Sequence, residues 1–129
     1  MNCNMTATSK ILLVDDDSDF LESLQLVMFE EGYTAYTVSN GYDAIAQYKK
    51  LRPDVVFLDV RMPEIDGYDT FMSIIKYDPN AKVVFMSGYT LDVVRYADVE
   101  KYAVGTISKP IRHGELKKSI KKIMGNGAK

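Results

Sequence analysis

A three-layer α/β/α fold around a five-stranded parallel sheet is predicted for this chain by three observations. Short apolar runs bounded by turn residues alternate with segments of helical period along the whole length. The links between consecutive strands are long enough to hold a helix, which parallel strands require. With 129 residues, 47% apolar and 26% charged, the composition suits one domain with its own core.

Residues 11–14 (ILLV) read as a short buried strand, after which Asp17 or Ser18 can cap a helix. In that helix Phe20, Leu21, Leu24, Val27 and Met28 share one face, and Gly32 marks the end, where a positive φ costs little. Residues 33–39 are β-branched and aromatic, hence a strand. Asn40-Gly41 then turns the chain into a second helix with Ala44, Ile45, Tyr48 and Leu51 inward, closed by Arg52-Pro53. Residues 55–58 (VVFL) are the third strand; a loop with Pro63 and Gly67 leads to a helix with Phe71, Met72, Ile74 and Ile75 inward.

Asp78-Pro79-Asn80 is a turn, residues 82–86 a fourth strand and Ser87-Gly88 a break. Thr90 caps a fourth helix reaching about residue 102, with Val93, Val94 and Ala97 inward. Residues 105–108 form a short fifth strand. After Lys109-Pro110 a fifth helix carries Leu116, Ile120, Ile123 and Met124 on one side until Gly125-Asn126-Gly127 ends it. Residues 1–9 are expected to be a disordered leader, 10–124 the folded domain and 125–129 a flexible tail.

Several function classes are disfavoured by composition. The longest apolar runs are four residues, far below the roughly 20 of a membrane helix. The start, MNCNMTATSK, has neither the basic nor the apolar region of a secretory signal, so a cytoplasmic location is expected. Cys3 is the only cysteine, has no intramolecular partner and is given no role. The net charge of -2 conceals an asymmetry: residues 1–70 hold 13 acids and 5 bases, residues 71–129 hold 5 acids and 11 bases. The lysines at 117, 118, 121 and 122 read as a solvated helix face, and no direct nucleic-acid contact is expected.

In open parallel sheets chemistry collects beyond the carboxyl ends of the strands. The polar residues there are Asp15 and Asp16 after the first strand, Asp59 after the third, Ser87 after the fourth and Lys109 after the fifth. Three converging carboxylates need neutralising, and hard oxygen ligands suit Mg²⁺. His113 is the only histidine and Cys3 sits in the leader, which disfavours zinc. An EF-hand fails although Asp15, Asp17 and Asp19 have its first spacing, because Phe20 stands where a Gly is needed and Leu26 where a bidentate Glu is needed. Neither GxxxxGK[ST] nor GxGxxG occurs.

The segments ILLVDDD (11–17), DVVFLDVRMPEIDGYD (54–69), VVFMSGYT (83–90) and GTISKP (105–110) together resemble the receiver domain of two-component response regulators, of the stand-alone chemotaxis-regulator type. The resemblance spans residues 10–124 and implies a flavodoxin-like sheet of strand order 2-1-3-4-5. It also implies a signalling switch. Asp59 would accept a phosphoryl group from a sensor histidine kinase or a phosphotransfer protein. Asp15, Asp16, Asp59 and the backbone carbonyl of Arg61 would hold Mg²⁺. Lys109 would reach the phosphoryl oxygens and Ser87 would move onto them, with the Lys109-Pro110 bond resembling one that is cis in the family.

An output protein would then be engaged through the fourth helix, fifth strand and fifth helix, as a monomer or a weak phosphorylation-dependent dimer. Thr106 stands where many members have an aromatic relay, while Tyr89 and Arg61 occupy the positions expected to tune the lifetime of the phosphorylated state. The alternative reading is a Mg²⁺-dependent aspartyl-phosphate phosphohydrolase. It would need a dedicated acid/base, and Arg61 stands where one is sought, two residues after Asp59.

Overall fold

The computed structural model describes residues 9–62, 64–87, 103–108 and 113–127. Strands β1 (Lys10–Val14), β2 (Thr34–Val38), β3 (Val55–Asp59), β4 (Val83–Ser87) and β5 (Ala103–Ser108) form one sheet in the order β2-β1-β3-β4-β5. All four pairings are parallel. This is the expected flavodoxin-like order. Helices α1 (Ser18–Glu30), α2 (Gly41–Leu51), α3 (Gly67–Tyr77) and α4 (His113–Gly127) are described. α4 is the fifth of the predicted helices; the predicted fourth, at residues 90–102, lies outside the described residues. No helix among the described residues is long and apolar enough to cross a membrane.

Strand side chains alternate between two cores, as the period of two demands. Leu12, Val14, Val56, Leu58, Val83 and Phe85 pack toward α2 and α3. Ile11, Leu13, Val55, Phe57, Val84 and Met86 pack toward α1 and α4. Covered on both faces, the central strands are continuously apolar, which is why they read as unbroken runs. Phe85 meets Phe71 at 5.1 Å and Tyr68 at 5.8 Å between ring centroids, tying α3 to β4.

Each of the first three helices starts on a side-chain cap. Asp17 accepts from the backbone N–H groups of Asp19 and Phe20, Asn40 from Asp43, and Asp66 from Asp69. α1 is followed by Gly32 at φ 87°, as its position suggests. The charge asymmetry along the chain is partly matched in space: Lys117 lies 3.6 Å from Glu30 and 3.7 Å from Glu31, and Lys121 lies 4.0 Å from Glu31. Half of the basic run therefore faces Glu30 and Glu31 at the C-terminal end of α1.

The structure corrects two local expectations. Met72 is not inward but 48% exposed, while Tyr68 and Thr70 are buried. A residue step turns a helix by about 100°, so Met72 falls outside the stripe centred on Phe71 and Ile74. Asp59 is the last residue of β3 rather than the residue after it, paired opposite Met86. α4 ends at Gly127, within the Gly125-Asn126-Gly127 segment expected to end it. At the other terminus the Ser9 carbonyl accepts from the Thr34 N–H at 3.1 Å, one residue beyond the β1–β2 pairing.

α2 and α3 are joined by a hydrogen bond from the Tyr48 hydroxyl to Asp78 Oδ2, 2.7 Å long. That bond, then the Asn80 N–H, holds the Asp78 carboxyl below its ordinary range, while burial and then the same bond push the Tyr48 phenol up. A carboxyl whose pKa is lowered by folding stabilises the fold above its unfolded value and loses that contribution as pH falls through the folded one. Tyr48→Phe is therefore expected to lower the urea midpoint at pH 7. The gap from wild type should close as pH falls below about 4, where an unfolded Asp protonates. A gap that persists undiminished in acid would contradict the assignment.

Candidate functional site

The chain runs from β1 out to the edge strand β2 and then crosses back to β3, so strand order reverses between β1 and β3. The carboxyl ends of these two strands are where a crevice opens in a doubly wound sheet. Val14 lies opposite Leu58, which brings the residues following each, Asp15 and Asp59, side by side.

Three consecutive aspartates after β1 do three different things. The Asp15 N–H donates to the Val38 carbonyl at 3.2 Å, extending the β1–β2 ladder by one residue. Its side chain is fully buried, and its Oδ1 accepts from the Asp17 N–H at 2.9 Å. Asp16 is exposed at the mouth. Asp17 is turned away as the α1 cap, its Oδ1 accepting from Asp19 and Phe20 at 3.1 Å each. Asp59 is 5% exposed.

One carboxylate oxygen from each of Asp15, Asp16 and Asp59 lies within 4.8 Å of the other two. Two such charges repel by about 3–4 kcal/mol per pair at an effective dielectric of about 20, so the arrangement asks for a counter-charge. Three hard oxygen donors without thiol or imidazole suit Mg²⁺, and the acidic cluster fits it. Two of the donors are buried and one faces solvent. That leaves an open side on which a strongly hydrated ion can keep water.

The loop after Asp59 is anchored at its base. The Val60 N–H donates to the Met86 carbonyl at 3.0 Å, and the Gly67 N–H to the Val60 carbonyl at 2.8 Å, closing the loop at its base. A Cβ on Gly67 would overlap the Asp59 carbonyl oxygen and stand 2.7 Å from Val60 Cα. Only glycine lets α3 start this close to the backbone of Asp59. Within the loop Glu64 adopts φ 70°, a left-handed conformation uncommon for a residue with a side chain.

Gly67→Ala is expected to cost about 2 kcal/mol, in the range of overpacking against atoms that cannot move aside. Equal urea midpoints for the variant and wild type would contradict this. Sequence reasoning placed Gly67 merely in a loop. The available signal was a glycine in the first turn of a helix, directly after a good cap, where propensity argues against it.

The remaining expected site residues are placed as follows. Arg61, two residues past Asp59, has an exposed side chain. Ser87 ends β4, its backbone opposite Ser108 at the end of β5. Thr106 lies on β5 opposite Phe85 and is exposed. Tyr89, Lys109 and Pro110 lie outside the described residues; in sequence Lys109 directly follows Ser108.

Comparison with known proteins adds to this geometry. Residues 11–121 match the family model described as the response regulator receiver domain. The chain is 31% identical over 115 residues to the chemotaxis protein CheY of Thermotoga maritima, covering 88% of this chain and 96% of that one. It is 33% identical over 116 residues to the sporulation initiation phosphotransferase F of Bacillus subtilis, covering 89% and 93%. Among solved structures, the response regulator protein TrrA of Thermotoga maritima, in complex with Mg²⁺ and BeF, is similar with a TM-score of 0.78 and 31% identity. That match covers 90% of this chain and 99% of TrrA.

Proposed function

The chain belongs to the response regulator receiver domain family, and on that premise we propose that it is a cytoplasmic switch driven by phosphorylation of Asp59. The observation that carries the reading is the convergence of Asp15, Asp16 and Asp59 at the point where strand order reverses. A carboxylate is already ionised at neutral pH, so Asp59 needs no base to act as a nucleophile. One of its oxygens forms the O–P bond as the P–N bond of a phosphohistidine breaks, and the imidazole nitrogen leaves with the electron pair.

Phosphoryl transfer asks a protein mainly for alignment and for positive charge on the equatorial oxygens. Asp15, Asp16, Asp59 and the Arg61 carbonyl would hold Mg²⁺, which when bound would supply part of that charge. Lys109, which follows Ser108 in sequence, would supply the rest. The new acyl phosphate carries acceptor oxygens, and the Ser87 hydroxyl at the end of β4 donates to them. Burial of Asp59 on a rigid central strand keeps the attacking oxygen aligned. Tyr89 and the Arg61 side chain set how readily water reaches the phosphorus from the opposite side.

The switch is read by contact with an output protein, through the face built by the predicted fourth helix, β5 and α4. Thr106 has no ring to swing inward, so the rearrangement there is small. The phosphoryl donor is a sensor histidine kinase or a phosphotransfer protein.

The test is incubation of the whole chain with Mg²⁺ and a small acyl phosphate or phosphoramidate, followed by intact mass measurement. One phosphoryl group per chain is expected, together with amide shifts that reach residues 90–124. Shifts confined to the loops around Asp59 would count against the output face.

A further inference from the structure

We propose that Gly41, at the start of α2, and Thr70, on α3, are positioning residues that brace the β3–α3 loop behind the acidic site. The inference rests on the Mg²⁺-dependent reading above, because the loop begins directly after Asp59 and would present the Arg61 carbonyl to the ion. Neither residue belongs to the acidic cluster itself.

Gly41 is buried and its position for a side chain is already occupied. A Cβ there would overlap Thr70 Oγ1, stand 2.6 Å from Ile65 Cγ2 and lie 3.2 Å from the Ile65 carbonyl oxygen. The first turn of α2 therefore rests directly on residue 65 of the loop. Thr70 is fully buried, in a stripe otherwise made of Phe71, Ile74, Ile75 and Tyr68. Its burial is explained by what it holds: Oγ1 donates to the Asp66 carbonyl at 2.8 Å, and its N–H donates to the same carbonyl at 3.0 Å.

The Asp66 carbonyl thus accepts the first backbone bond of α3 and a second bond from the Thr70 hydroxyl, and Gly41 stands against that same hydroxyl. Asp66 in turn caps α3 through Asp69, and the adjacent Gly67 N–H closes on the Val60 carbonyl next to Asp59. Glu64, held at φ 70° between these anchors, is the kind of strained residue that persists only where the surroundings over-determine it. Pressure at position 41 passes through Ile65 and Thr70 to the base of the loop, since packed interiors transmit strain and do not absorb it.

The test uses the full chain with two readouts: Mg²⁺ affinity by amide chemical-shift titration, and hydrogen exchange at the Gly67 amide. Gly41→Ala is expected to weaken Mg²⁺ binding about tenfold, the loss seen when support behind a metal ligand is removed, and to speed exchange at Gly67. Gly41→Ala/Thr70→Ala, which removes the overlapped oxygen, is expected to recover part of the affinity. Thr70→Ala alone should weaken binding and speed exchange, and Thr70→Ser, which keeps the hydroxyl, should not.

If Gly41→Ala does not fold, the contrast between Thr70→Ala and Thr70→Ser decides the matter. Wild-type affinity and wild-type Gly67 exchange in Thr70→Ala, or in a folded Gly41→Ala, would overturn the brace. A wild-type chain that binds no Mg²⁺ would overturn the metal reading instead, and the Gly67 exchange rates would still decide whether the brace exists.

Discussion

Asp59→Asn takes up no phosphoryl group from Mg²⁺ and a small acyl phosphate, while wild type takes up one. Asparagine keeps the shape and the place at the end of β3 but replaces an ionised oxygen by an amide, whose oxygen is a far weaker nucleophile toward phosphorus. The effect is expected to be a complete loss of labelling, the largest change any single substitution here produces. Because Asp59 is buried against Asp15 and Asp16, removing one of three crowded charges should also raise thermal stability in the absence of divalent cation. Stoichiometric labelling of Asp59→Asn would place the phosphoryl group elsewhere and sink the assignment.

Asp16→Ala comes second, with an expected loss of Mg²⁺ affinity of about a hundredfold, against about tenfold for Asp15→Ala. The two acids are neighbours in sequence and differ in circumstance. Asp16 is exposed at the open side of the cluster, with a carboxylate available as a direct ligand. Asp15 is fully buried and already gives one oxygen to the Asp17 N–H, which suits ligation through water.

Removing the Asp15 side chain also withdraws the acceptor from the Asp17 N–H, the residue that caps α1. Asp15→Ala should therefore lose more folding stability than Asp16→Ala, by about 1 kcal/mol. Titrations of Mg²⁺ and urea melts on the two variants check both orders. Equal Mg²⁺ affinity in wild type and Asp16→Ala would contradict the ligand assignment.

The acids of the site were legible because each is tied to a strand end, and strand ends are written locally. An apolar run such as ILLV followed by DDD needs no partner to be read as strand, then turn, then helix cap. The division of labour among Asp15, Asp16 and Asp17 was less legible. All three are the same residue type, and only the backbone path after β1 decides which is buried, which faces solvent and which caps α1. Met72 was misread for a related reason: apolar character states a preference for burial, and α3 buries only the stripe that β3 and β4 can reach.

By itself the sequence determined the order of the described elements, the faces of α1 and α2, and the three carboxylates at the strand-order reversal, since periodicity, caps and turns act over a few residues. Tertiary structure alone decided the roles of Gly67, Gly41 and Thr70. Gly67 must be a glycine because Asp59, eight positions earlier, places its carbonyl where a Cβ would be, and Gly41 because Thr70 and Ile65 arrive from another helix and loop. Steric exclusion is set by atoms that meet only after the sheet has closed up and the helices have docked, so no local pattern records it.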